Sequence, residues 1–144
     1  MAPEKSPRKL TKNRLTKAKQ KYYFDLLMKA RQDFSRQVQF HAAEALKTQK
    51  DSAGERAGMA THMADLGSDN SRHDLELGLM SSEVEVLEMI EEALQRIHDN
   101  EYGICLECGN EINPERLESK PYARFCVACK SRMEMSDGPY RRHR

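Results

Sequence analysis

Four cysteines are the residues best placed to do chemistry. They read Cys105-Leu106-Glu107-Cys108-Gly109 and, seventeen residues after Cys108, Cys126-Val127-Ala128-Cys129-Lys130. The pattern C-x2-C-x17-C-x2-C falls within the spacing of four-thiolate zinc sites. Two residues between thiols let one tight turn aim both sulfurs at a single ion. Gly109 supplies the positive-φ backbone that such a knuckle favours. Two other chemistries use the same residues, redox-active CxxC pairs and structural disulfides. Two complete pairs in a cytosolic chain without a thioredoxin pattern argue against both. The reading is therefore one structural Zn2+ on Cys105, Cys108, Cys126 and Cys129, because four thiolates leave no open position for water or substrate.

The elements around the cysteines must form a small finger over residues 101–135. Its apolar residues are few: Ile104, Leu106, Ile112, Leu117, Tyr122, Phe125 and Val127. Such a core is too small to fold alone, so the metal must supply roughly 10 kcal/mol or more. Asn113-Pro114-Glu115 is a helix start, with an N-cap, a proline at N1 and an acid in the first turn. The second cysteine pair is expected to open a short helix reaching about Met133. Tyr102-Gly103 and the Asn110 region offer strand-turn elements, which together suggest a treble-clef-like finger.

Upstream, the pattern is helical. Between about Leu15 and Lys50 there is no Pro or Gly. Tyr23, Leu27, Ala30, Phe34, Val38, His41 and Ala45 recur there in steps of three and four. A second stripe, from about Ser71 to Asp99, runs through Met80, Leu87, Ile90, Leu94 and Ile97. Leu75, Leu79, Val86 and Ala93 widen it, and glutamates fill the opposite face. Residues 51–70, with Gly54, Gly58 and Gly67, read as a turn region, part of which could prolong the first helix, and Asn70 or Ser71 as the cap of the second helix. Neither helix can hide its stripe alone. The expected fold is mainly α: a long antiparallel coiled-coil hairpin over 15–100, tip at about 51–70, ending in the four-cysteine finger. Two helices of a compact bundle are the alternative, although the sequence lacks a third or fourth long helix. A basic arm (1–14) and a basic tail (136–144) flank these parts.

Composition excludes several classes. In 144 residues, 33% are charged and 38% hydrophobic, with no Trp, too little apolar material for a deep enzyme pocket. No nucleophile elbow, phosphate loop or HExxH motif is present, so no enzyme is expected. His41, His62, His73, His98 and His143 are scattered and read as surface or seam residues. No run approaches the ~20 apolar residues of a membrane span, and no signal peptide is evident, so a cytoplasmic location is expected. Charge is segregated beneath a net of +1. Residues 1–21 hold eight cations and one acid, whereas 65–101 hold eleven acids and two cations. The arm reads as a solvated tail or as a nucleic-acid contact. The alternative function is thus a zinc-finger protein binding nucleic acid through its basic N-terminal arm.

Ile97-His98-Asp99-Asn100-Glu101-Tyr102-Gly103-Ile104-Cys105-Leu106-Glu107-Cys108-Gly109 resembles the DksA/TraR zinc-finger family. So does the run from Arg116-Leu117-Glu118-Ser119-Lys120-Pro121-Tyr122 through Lys130. The resemblance implies a transcription regulator that binds RNA polymerase, inserts its hairpin tip into the secondary channel and modulates initiation. It implies no sequence-specific DNA contact and no membrane, and a monomer is expected. The family's tip pattern, Asp-x-x-Asp-x-Ala, corresponds to His62-Met63-Ala64-Asp65-Leu66-Gly67 here, so Asp65 alone keeps its carboxylate. Asp69 is a substitute if the loop register differs; plain turn and cap roles are the alternatives for both. Some members bind guanosine tetraphosphate through a helix lysine and two basic finger residues. Lys120 and Lys130 match the finger positions, but Met89 stands at the helix position and cannot pair with phosphate. Simple surface solvation is the other reading of these lysines.

Overall fold

The computed structural model describes residues 15–54 and 62–137, with side chains at 15–47 and 70–137. Helix α1 covers Lys17–Gly54, α2 His62–His98, α3 Pro114–Ser119 and α4 Val127–Asp137. The fold is mainly helical. Among the described residues the sole β element is an isolated antiparallel bridge between Ile104 and Glu111. No described helix is long and apolar enough to cross a membrane.

Both long helices run further than their sequence signals suggest. Part of the 51–70 stretch prolongs α1 to Gly54, the option the sequence left open, but α2 begins at His62 rather than at about Ser71. Asn70 and Ser71 therefore lie inside α2 and cap nothing. The poor helix formers there cost at most about 1 kcal/mol each. Extending an existing helix adds a hydrogen bond for each residue fixed, which offsets that cost. The middle of the expected tip, 55–61, lies outside the described residues, as do the arm and most of the tail.

The chain divides into two compact units. The first comprises the described parts of Met1–Met28 and Met89–Arg144. Tyr23 and Leu27 of α1 and Ile90 and Ala93 of α2 are buried in it. Complete burial of Leu27 or Ile90 stabilises by about 1.5–3 kcal/mol each. The start of α1 lies beside the end of α2, where Gln20 Nε2 donates to Asn100 Oδ1 at 2.8 Å. That end is a Schellman motif. Glu101 N–H bonds the Arg96 carbonyl (2.8 Å) and Asn100 N–H that of Ile97 (3.2 Å), with Asn100 at φ 58°.

The second unit, Lys29–Glu88, pairs the remainder of the two helices. On α1 the expected seam holds: Ala30, Phe34, Val38 and His41 are half-buried and Ala45 is buried. On α2 the half-buried positions are His73, Glu76, Met80, Glu83 and, as the sequence stripe has them, Val86 and Leu87, spaced mostly by three and four. Leu75 (61% exposed) and Leu79 face outward instead. Two glutamates assigned by the sequence to the outer face thus lie in the seam. His41 explains how: Nδ1 meets Glu76 Oε2, and Nε2 meets Glu83 Oε1 at 3.2 Å. Donating through both ring nitrogens requires the imidazolium.

The Glu76 hydrogen bond raises the His41 pKa above its ordinary value; burial opposes this, and the Glu83 charge adds to it. A raised folded pKa contributes stability that is complete below the unfolded value of about 6.5. It is lost as pH climbs through the folded value. Amide exchange around residues 34–45, divided by the intrinsic rate, should therefore show declining protection as pH rises above 6.5. The His41→Gln variant should lack that dependence. Equal slopes in the two proteins would remove any stabilising role for the histidine.

Candidate metal centre

The first cysteine pair sits on a tight hairpin. Cys105 N–H donates to the Asn110 carbonyl at 2.8 Å, and Gly109 N–H returns a bond to the Cys105 carbonyl at 2.9 Å. Gly109 has φ 74°, and a Cβ there would meet nothing within 4 Å. Its demand for glycine is therefore conformational rather than steric. Ile112 N–H closes the hairpin base on the Gly103 carbonyl at 2.8 Å.

The second pair flanks the start of α4. Cys126 precedes it, Cys129 lies in its first turn, and Lys130 N–H donates to the Cys126 carbonyl at 3.0 Å. The predicted start of α3 is also present: Asn113 Oδ1 accepts from Glu115 N–H at 3.0 Å, with Pro114 at N1. Two bonds dock the second pair on the first. Arg116 Nε donates to the Phe125 carbonyl at 2.9 Å, and Leu106 N–H to that of Arg124 at 3.0 Å.

The four sulfurs lie within 4.8 Å of one another. Cys108 and Cys126 Sγ are 3.8 Å apart, far beyond a disulfide bond of about 2.05 Å. Sulfurs held tetrahedrally at about 2.3 Å from zinc lie about 3.8 Å apart. The donor set and its spacing therefore fit zinc, and the finger carries a structural zinc site of the four-cysteine kind. Burial pushes the Cys105 thiol up, but backbone N–H groups of Cys108, Cys126 and Glu107 outweigh it and bring it down to about 6. Cys129 differs. Arg132 Nη2 donates to its sulfur at 3.0 Å and lowers it, yet burial and the other three thiols leave it at about 11. Coordination to a dication removes such thiol protons.

Several supporting groups were not singled out by sequence. Tyr102, almost fully buried, donates its hydroxyl to the Pro121 carbonyl at 2.7 Å and packs on Tyr23 with ring centroids 5.2 Å apart. Burial raises its pKa. Arg96 is only 9% exposed, and its two terminal nitrogens have no hydrogen-bond partner among the described residues. Burial lowers its pKa, which Tyr102 and Glu92 partly offset. Arg132 alone had a readable signal, because i+3 from Cys129 on a helix puts it on the same face.

The remaining candidates lie on α2, at the end of α3 and on α4. Positions 65 and 69 fall within α2, so neither is in a turn, and the Asp65 and Asp69 side chains lie outside those described. Lys120 closes α3, its N–H bonded to the Arg116 carbonyl at 2.8 Å. Lys130 lies on α4 and pairs with Glu134 at 3.6 Å. Met89 is half-buried on α2.

These features define a helical protein with a C-terminal four-cysteine zinc finger. Residues 100–134 match the model of the prokaryotic dksA/traR C4-type zinc finger. The transcription factor DksA2 from Pseudomonas aeruginosa has a similar fold, with a TM-score of 0.67 and 30% identity. That likeness covers 85% of this chain and 88% of DksA2. General stress protein 16O of Bacillus subtilis is 38% identical over 77 residues, 54% of this chain and 47% of that protein. The RNA polymerase-binding transcription factor DksA of Escherichia coli is 33% identical over 73 residues, 51% and 48% of the two chains. The chain spans about half the length of these two curated relatives. It belongs to the DksA/TraR family.

Removing the metal should unfold the finger, since four-thiolate binding contributes roughly 10–16 kcal/mol in comparable small domains. Chelation, or Cys126→Ser, should collapse the dispersed amide NMR signals of residues 101–135. Dispersed signals after verified metal loss would show that the apolar core suffices. Tyr102→Phe should cost about 1–3 kcal/mol, the penalty for stranding a buried carbonyl. A urea midpoint measured with metal saturated tests this.

Proposed function

We propose that the protein is a transcription regulator that binds RNA polymerase directly and modulates initiation through the helical hairpin. The observation carrying this reading is the fold likeness to the DksA2 transcription factor, at 30% identity over 85% of the chain. The name of the Escherichia coli relative, an RNA polymerase-binding transcription factor, supports the same partner. In this reading the segment joining α1 to α2 enters the secondary channel. Asp65, in the first turns of α2 next to that segment, acts as the principal carboxylate, with Asp69 as a second acid. Cys105, Cys108, Cys126 and Cys129 are the zinc ligands, and the protein works as a cytoplasmic monomer. Lys120 and Lys130 form a phosphate contact for guanosine tetraphosphate at the polymerase interface. Met89 makes that contact weaker than a third cation would, because a thioether cannot pair with phosphate.

Purified protein should retain bacterial RNA polymerase in a pull-down and change transcript yield from purified templates. Asp65→Asn keeps nearly the same volume and removes the charge. It should still be retained by the polymerase while losing the effect on initiation. Failure of the wild-type protein to bind would overturn the reading. Binding with full activity in the variant would remove the role given to Asp65. Retention on bare DNA alone, lost with residues 1–14 and steeply salt-dependent, would favour the nucleic-acid alternative.

A further inference from the structure

A groove of about 470 Å³ opens in the first unit between the start of α1 and the α3 side of the finger. Tyr22, Tyr23, Ile112 and Leu117 give it an apolar wall, and Glu111 and Glu118 supply two carboxylates against the single cation of Lys19. Tyr22 is half exposed there. The described chain begins at Leu15, which itself lines the groove. The preceding fourteen residues are covalently joined to the chain at that point. They carry Lys5, Arg8, Lys9, Lys12 and Arg14 against Glu4, and Leu10 is their one large aliphatic side chain after Met1. Five residue steps separate Leu10 from Leu15, about 17 Å when extended, which is enough to double back. Cations with long aliphatic stems suit a site made of aromatic rings and carboxylates.

We propose that residues 1–14 of the chain itself occupy this groove, with Leu10 against the tyrosine wall and the flanking cations on Glu111 and Glu118. The arm is then an intramolecular latch on the base of the finger. This use is independent of polymerase binding, and a chain inactive in transcription still tests it.

The natural chain has no Trp, so Leu10→Trp introduces a sole indole reporter. In the folded full-length protein its emission should be shifted to the blue of the urea-unfolded chain, independently of protein concentration. The paired changes Glu111→Lys and Glu118→Lys should return it toward the unfolded position, and 1 M salt should do so in part. Zinc content and circular dichroism check that the charge variants fold. A second measurement leaves the groove intact. Deleting residues 1–14 should speed exchange of the Ile112 and Leu117 amides about fivefold, as expected when a modest local contact is lost. Emission at the unfolded position, a blue shift that grows with protein concentration, or unchanged exchange after deletion would each overturn the proposal.

Discussion

The convergence of four sulfurs on a single point is the constraint that the finger depends on. Seventeen residues separate the two thiol pairs, and those residues form only a short hairpin and the six-residue α3. Ile104, Ile112 and Leu117 are buried, but three aliphatic side chains do not offset the entropy of ordering about thirty-five residues. The backbone bonds of the Cys105 hairpin and the Arg116 link to Phe125 bring the pairs close. Mutual repulsion of thiolates then opposes closure until a dication neutralises it. Arg132 relieves part of that repulsion at Cys129 without needing the metal.

The two units differ in what α2 brings to the helix pairing. In the first, Leu27, Ile90 and Ala93 exclude water, and burial of such aliphatic groups involves no titratable charge. In the second, α2 contributes His73, Glu76 and Glu83 where a coiled-coil seam ordinarily holds aliphatics. An imidazolium between two carboxylates gains Coulomb energy, part of which desolvation offsets. One Glu83 oxygen remains buried without a partner among the described residues, a further local cost.

How much of this was legible follows from which signals are local. Cysteine spacing, the Asn113-Pro114-Glu115 start and the seven-position stripe of α1 depend on near neighbours, and each appears in the structure as read. The α2 stripe was misassigned in part because hydrophobicity alone selected Leu75 and Leu79. The actual seam is set by His41, an ion-pair partner thirty-five residues away from Glu76, and no periodicity reports it. Helix ends were misjudged because glycine and serine signal turns only when no established helix runs through them. The roles of Arg96, Tyr102 and Arg116 were not legible for a further reason: they are bonds to backbone atoms or burial, which residue type does not encode.

The stretch from Glu92 to Tyr102 separates what the metal does from what it does not. Glu92 pairs with Arg124 at 3.2 Å, the Arg96 carbonyl takes the Glu101 N–H, Asn100 holds Gln20, and Tyr102 binds the Pro121 carbonyl. None of these contacts involves a sulfur, and together they join α1, α2 and the finger within one unit. The exposed Glu92–Arg124 and Gln20–Asn100 contacts are each worth little by themselves, whereas the Tyr102 bond is buried. Positioning of the finger on the helix ends therefore rests on hydrogen bonds and packing, while order inside the finger rests on coordination. Loss of the ion would abolish the hairpin of Cys105 and the start of α4 yet leave the Schellman end of α2 intact, because every bond of that motif lies N-terminal to the first cysteine.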